Sequence, residues 1–185
     1  FVDKNNNIWF GSYNGIIKYD SKLVSFKTYS LDFSERLEIH TIKEDNDGNL
    51  WIGSAFGKIY KFDVKSEKFI LLNDKIFNST IKDIKFLDDK VLLISEFEGI
   101  LVTDYNFKYQ RIINPKLEEG SYFLLNKFIN IPDRAVAVVT DKGAFYLNIA
   151  NERFTPLGGL YDEVNNHNIK DALSIDENRV IMATE

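Results

Sequence analysis

Apolar residues in this chain come in short runs, each ended by Gly, Asn, Asp or a pair of charges. No stretch keeps the three-to-four-residue spacing of an amphipathic helix, so the pattern predicts strands. The region around Trp51 shows them best. A first strand runs Ile39 to Glu44, a turn follows at Asn46 to Asn49, and a second strand runs Leu50 to Ser54. A tight turn at Phe56-Gly57 leads to a third strand, Lys58 to Asp63, and after Lys65 to Glu67 a fourth runs Lys68 to Leu72. Asn14-Gly15 and Asp47-Gly48 are hairpin signals, because type I′ turns need the positive φ that Gly, Asn and Asp tolerate.

The group of four strands recurs. Trp9 and Trp51 stand 42 residues apart in the matching segments NNNIWFGSYNGIIKYD and DGNLWIGSAFGKIYKFD. A further 42 residues reaches Leu93, 44 more reaches Ala137, and another 44 reaches Ile181. Gly15, Gly57, Gly99 and Gly143 each follow one of the first four anchors by six residues, and Ile39, Ile81, Leu125 and Ile169 each precede a later anchor by twelve. Four antiparallel strands every forty-odd residues is the period of a propeller blade.

The fold expected is therefore all-β, a β-propeller segment with about three complete blades and two partial ones. The units fall at approximately 1–30, 39–73, 81–114, 124–158 and 169–185 of a single segment spanning 1–185. A blade buries its faces only against its neighbours, so the anchor series is expected between blades, where truncating a Trp to Ala costs about 3–5 kcal/mol. The small residues two positions on, Gly11, Gly53, Ser95 and Ala183, are expected to admit an aromatic of the next blade, with Val139 breaking the series.

Composition agrees and removes several functions. With 44 % apolar and 14 % aromatic residues, the chain can fill a core. Its net charge is −5 and its Lys and Arg are scattered, which gives no footprint for nucleic acid or an anionic membrane. The absence of Cys excludes disulfides, thiolate metal sites and Cys nucleophiles, while leaving the compartment open. The longest apolar run, Ala135 to Val139, is far short of the roughly eighteen residues that span a bilayer. The chain opens without Met or a signal pattern, so it is expected to be an excerpt of a longer protein.

Candidate chemistry lies at one end of the blades. Length varies in the inter-blade connections Ser30 to Glu38, Asp74 to Thr80, Asn114 to Phe123 and Gly158 to Asn168, and loops that vary on a constant scaffold are the usual seat of function. The first strands contribute polar pairs near their start: His40 and Thr41, Lys82 and Asp83, Asn126 and Lys127, Lys170 and Asp171. By register these stack around the axis, either lining a channel mouth that binds a polyhydroxylated or charged ligand, or satisfying one another as ion pairs. Tyr13, with Asn14 beside it, and Phe56 and Phe97 stand at the turns between second and third strands, suited to stacking on sugar faces. Asp45 to Asn49 has the alternating oxygens of a calcium loop, but Phe56 stands where the closing Glu is needed, so a hairpin turn is favoured and no metal is expected. His40 and His167 sit in no catalytic motif, and neither GxSxG nor HExxH is present. Neither catalysis nor a cofactor is expected of this segment.

Asp45 to Asp63 reads D-x-x-G-N-L-W-I-G-S, then Gly and an apolar stretch ending in Asp, and Asp3 to Asp20 reads nearly the same. These residues resemble the two-component regulator propeller repeat, which builds periplasmic sensor domains of bacterial hybrid two-component histidine kinases. The third, fourth and fifth copies have lost the Trp. The resemblance implies further propeller blades, a β-sandwich, a membrane helix and a kinase or another output module in the same protein. It also implies a periplasmic location, as the ectodomain of an inner-membrane protein. The ligand it implies is a small extracellular one, often a breakdown product of complex glycans, whose binding rearranges a homodimer.

The first unit lacks nearly all of its first strand and the last ends after its second, so the segment is expected to remain open. A four-bladed closure through the strand from Ile169 would leave Arg179 to Glu185 surplus. Three functions suit such a segment: a ligand sensor, a scaffold that binds protein partners, and a propeller lyase. The fold alone cannot choose among them.

Overall fold

A computed structural model describes residues 1–31, 38–73, 76–116, 120, 122–131, 136–157, 167–176 and 179–184. The chain folds into five antiparallel sheets in sequence order. The first holds β1 (Ile8–Ser12), β2 (Gly15–Asp20) and β3 (Ser25–Ser30), and a Val2–Ile8 bridge stands where an inner strand would end. The second holds β4 (Ile39–Glu44), β5 (Leu50–Ser54), β6 (Ile59–Asp63) and β7 (Lys68–Asn73). The third holds β8 (Ile81–Phe86), β9 (Val91–Ser95), β10 (Gly99–Thr103) and β11 (Gln110–Ile113). The fourth holds β12 (Leu125–Asn130), β13 (Val136–Thr140), β14 (Gly143–Asn148) and β15 (Arg153–Pro156), and the fifth β16 (Ile169–Asp176) and β17 (Arg179–Thr184). Together they form an open arc of propeller blades, not a closed ring.

The third strand of the second sheet begins at Ile59 and not at Lys58, because Ala55–Gly57 forms a 3₁₀ turn in which Phe56 adopts a φ of 59°. The four inter-blade connections singled out above lie partly outside the described residues, and 158–166 does so entirely.

The core lies between sheets. Trp9 faces the second sheet, with Phe62 at 5.8 Å between ring centroids, and Trp51 faces the third, against Phe86, Tyr105 and Phe107. Both Trp side chains are buried. Leu93 does not continue this series. Thr41 pairs with Gly53 and Lys43 with Trp51, whereas Asp83 pairs with Ile94 and Lys85 with Leu92, so Leu92 is the structural equivalent of Trp51. The hairpin before β9, residues 87–90, is one residue shorter than 45–49, and the turn after it, 96–98, is one longer than that between Ser12 and Gly15. The two changes cancel in the count of residues and leave the glycine spacing at 42. A one-residue slip in a strand exchanges its two faces, so Leu93 packs with Trp51 while Leu92 packs with Val136 and Val138 of the fourth sheet.

Gly11 and Gly53 admit an aliphatic side chain, not an aromatic. A methyl group on Gly53 would lie 2.5 Å from Cγ2 of Ile81, and one on Gly11 would lie 2.7 Å from Cγ2 of Ile39, the first residue of the next sheet's inner strand in each case. Ser95 falls outside this series because of the slip, and Ile94 takes the equivalent place. Ile181 is 58 % exposed, since no described residue packs over its face of β17; Leu173 and Ile175 share that exposure. At the opposite end of the arc, Phe10 and Phe26 are likewise exposed.

Candidate functional site

The inner strands β4, β8, β12 and β16 converge on one open cavity of about 530 Å³. Its lining includes His40, Thr41 and Lys43 from β4, Lys82 and Asp83 from β8, Asn126 and Lys127 from β12, and Lys170 and Asp171 from β16. Phe1, Trp9 and Gly11 complete the side where the first sheet has no full inner strand. Each inner strand carries a register shift at the same place, between Ile39 and Thr41, Ile81 and Asp83, Leu125 and Lys127, and Ile169 and Asp171. The residue inside each shift is His40, Lys82, Asn126 or Lys170. A bulge leaves one residue without a cross-strand partner and re-aims its side chain, so each of these four blades presents two consecutive polar residues to the cavity where a regular strand would present one.

In three of the inner strands the third residue, Asp83, Lys127 or Asp171, ties blades together. Asp83 is buried, with Lys43 Nζ of the preceding blade 3.0 Å from Oδ1 and the backbone N–H of Phe128 in the following blade donating to Oδ2 at 2.9 Å. Lys127 pairs with Asp171, whose other donor is the Ala172 amide. Burial by itself would raise the Asp171 carboxyl, but the Lys127 ammonium and the Ala172 N–H outweigh it and hold the group below its ordinary range. Deeper in the arc, burial pushes the Lys85 ammonium down, with Asp83 opposing; its Nζ donates to Asn130 Oδ1 at 2.9 Å. Second residues of these strands have partners of their own. Lys82 lies 3.3 Å from Glu96, His40 lies 3.7 Å from Glu38, and Asn126 donates one amide hydrogen to the Ile169 carbonyl at 2.7 Å.

Of the eleven candidate residues, the structure brings His40, Lys82, Asp83, Asn126, Lys127, Lys170 and Asp171 together and leaves Tyr13, Asn14, Phe56 and Phe97 outside the lining. Those four sit at turns after the second strand, and each strand outward adds about 4.8 Å from the axis. Tyr13, Phe56 and Phe97 are well exposed there. Lys43 was not among the candidates, although alternation along the strand from Thr41 points to it. The Asp45 loop is a hairpin turn: Asp45 Oδ1 accepts the amides of Asp47 and Asn49, and Oδ2 accepts the indole N–H of Trp51.

Open blades of this register, converging through their inner strands on a polar cavity, define the chain as a β-propeller segment. Residues 35–56 match the model of the two component regulator propeller family. No curated protein matches the sequence. Among solved structures, an extracellular domain assigned to the one component system BT4673 of B. thetaiotaomicron is similar over 100 % of this chain and 28 % of its own length, at 19 % identity and a TM-score of 0.75. An extracellular domain assigned to the hybrid two component system BT3049 of the same organism matches over 100 % of this chain and 32 % of its own length, at 15 % identity and 0.63. The β-propeller domain of Myceliophteria thermophila Cps50 (Swd1) matches over 100 % of this chain and 62 % of its own, at 9 % identity and 0.73. The chain thus spans about a third of the length of the two bacterial domains, and likenesses at these identities establish the fold alone. No helix among the described residues is long and apolar enough to cross a membrane.

Proposed function

We propose that the chain is a ligand-sensing segment of a two-component sensor, lying in the periplasm as part of an inner-membrane protein that carries a histidine kinase module. Its ligand is a small extracellular molecule, glycan-derived, held in the cavity of the inner strands. The observation that carries this reading is the convergence of four consecutive inner strands, each with a bulge at its second residue, on one open polar cavity. A volume of about 530 Å³ lies within the roughly 300–1,000 Å³ of small-molecule sites. The repeat family and the likeness to extracellular domains support the setting.

The test is calorimetric titration of glycan fragments into the native protein that contains this segment. At least one fragment is expected to bind, and His40→Ala and Asn126→Ala are expected to weaken it about tenfold, near 1.4 kcal/mol. Failure of every fragment to bind, or binding indifferent to both substitutions, overturns the proposal. A second reading, a protein-binding face, draws on the exposed aromatics Tyr13, Phe56 and Phe97, since interfaces favour such anchors. It predicts that their replacement by Ala, and not substitution in the cavity, disrupts complexes of the native protein.

A further inference from the structure

We infer that Asn126, Lys127 and Asp171, where the fourth and fifth sheets meet, form a subsite for two neighbouring hydroxyl groups of an uncharged sugar. This rests on the cavity being the ligand site, as proposed above, and adds which part of the lining reads the ligand and what charge the ligand carries.

Charges at the cavity wall come in opposed pairs. Lys43 pairs with Asp83 and Lys127 with Asp171 within the lining, and Lys82 pairs with Glu96 just outside it. An ionic ligand has to break into such a pair or stand beside a like charge, and like charges brought together oppose binding. A hydroxyl group does neither. Its O–H donates while its oxygen accepts, so it adds to both members of an intact ion pair.

The junction of β12 and β16 offers both halves of that exchange. Asn126 commits one amide hydrogen to the Ile169 carbonyl at 2.7 Å, and its second amide hydrogen and its carbonyl oxygen make no bond among the described residues. Lys127 commits one of three ammonium hydrogens to Oδ1 of Asp171, which also accepts the Ala172 amide. Oδ2 of Asp171 accepts from no described residue, and the side chain is 62 % exposed, so this oxygen is open to a ligand. Burial would raise the Asp171 carboxyl, but Lys127 and the Ala172 N–H hold it below its ordinary range, so it stays an acceptor at neutral pH. All three residues line the cavity.

Two adjacent hydroxyls match this set, each accepting from Asn126 or Lys127 and donating to Asn126 or Asp171. Bonds to the ammonium and the carboxylate are charge-assisted, about twice as strong as neutral ones. The bulge at Asn126 brings it to the same wall as Lys127, and the bonds that cross to β16 fix both side chains in advance. Such preorganisation lowers the ordering cost of binding.

The inference is tested by calorimetric titration of the native protein with matched triplets of disaccharides: a neutral sugar, its uronate and its 2-amino derivative. At least one neutral member is expected to bind about tenfold more tightly than its two charged counterparts, with little change on adding salt. Asn126→Ala and Lys127→Met should each weaken it about tenfold. Asp171→Asn should weaken it too, and should strengthen the matching uronate, because the like charge is gone while Lys127 keeps its own. A purely structural role for Asp171 would weaken both alike and overturn the inference. If a charged member binds as tightly as its neutral counterpart and responds to His40→Ala, the inference fails while the cavity stands as the ligand site. Binding that ignores Asn126→Ala, Lys127→Met and Asp171→Asn but responds to His40→Ala has the same meaning. Indifference to His40→Ala as well removes the cavity reading along with the inference, and if no triplet binds, the inference fails.

Discussion

Trp51 donates its indole N–H to Oδ2 of Asp45 at 3.0 Å, and Trp9 repeats the bond with Asp3 at 2.8 Å, forty-two residues earlier. The Asp and the Trp work as one unit. In the third and fourth sheets, where Leu92 and Ala137 replace the Trp, Leu87 and Ile131 follow the inner strand in the place of the Asp. Losing only one partner would strand a buried donor or a buried charge.

Asp45→Ala is expected to cost about 3–5 kcal/mol. The substitution leaves the Trp51 indole, the amides of Asp47 and Asn49, and Lys61, which lies 3.2 Å from Oδ2, without their acceptor. Asp45→Asn should cost less, because its amide oxygen still accepts from the indole. Urea denaturation of the two variants measures this, and equal losses would contradict the proposed role of the bond.

Acid should loosen the same sites. Burial would raise the carboxyls of Asp3 and Asp45, but hydrogen bonds from Asn7 and Trp9 in one case, and from Asn49, Trp51 and Lys61 in the other, outweigh it and hold both below the ordinary 3.8. A group that titrates lower folded than unfolded stabilises fully above its unfolded value, and that contribution is lost as pH falls through the folded value. The denaturation midpoint should therefore fall between about pH 5 and pH 2, and fall less steeply in Asp45→Asn.

The slip in β9 can be read by fluorescence. In a Trp9→Phe background, Leu93→Ala should shift the Trp51 emission, because the two side chains share a core cluster, whereas Leu92→Ala should leave it in place. Each substitution should cost about 2–5 kcal/mol. A shift from Leu92→Ala alone would restore the register expected from the sequence.

The ends of the arc should be adhesive. Residues 1–185 expressed alone present Phe10 and Phe26 at one end and Leu173, Ile175 and Ile181 at the other, and such faces promote association. Sedimentation should give a mass above 21.4 kDa, and Leu173→Lys with Ile181→Lys should lower it. A monomer before substitution would show that these faces do not associate.

Much of the fold was legible because tryptophan and turn glycine mark the period, and the strands around Trp51 followed from them almost residue by residue. The slip at Leu92 was hidden, since a shortened hairpin and a lengthened turn preserve the glycine spacing. The polar pairs of the inner strands were found by counting register, which holds at the strand starts. Their bulges left no mark, because His40, Lys82, Asn126 and Lys170 share no residue type that signals one. The Asp45 clamp looked like an ordinary hairpin because the indole it holds lies six residues away.

Asp83 touches Lys43 before it and the Phe128 amide after it, so one carboxylate grips three successive blades. It cannot lean toward one neighbour without slackening its hold on the other. A pull on Lys43 would thus be felt at β12, and the arc should transmit displacement as a stiff strut does, along its length instead of bending at a joint.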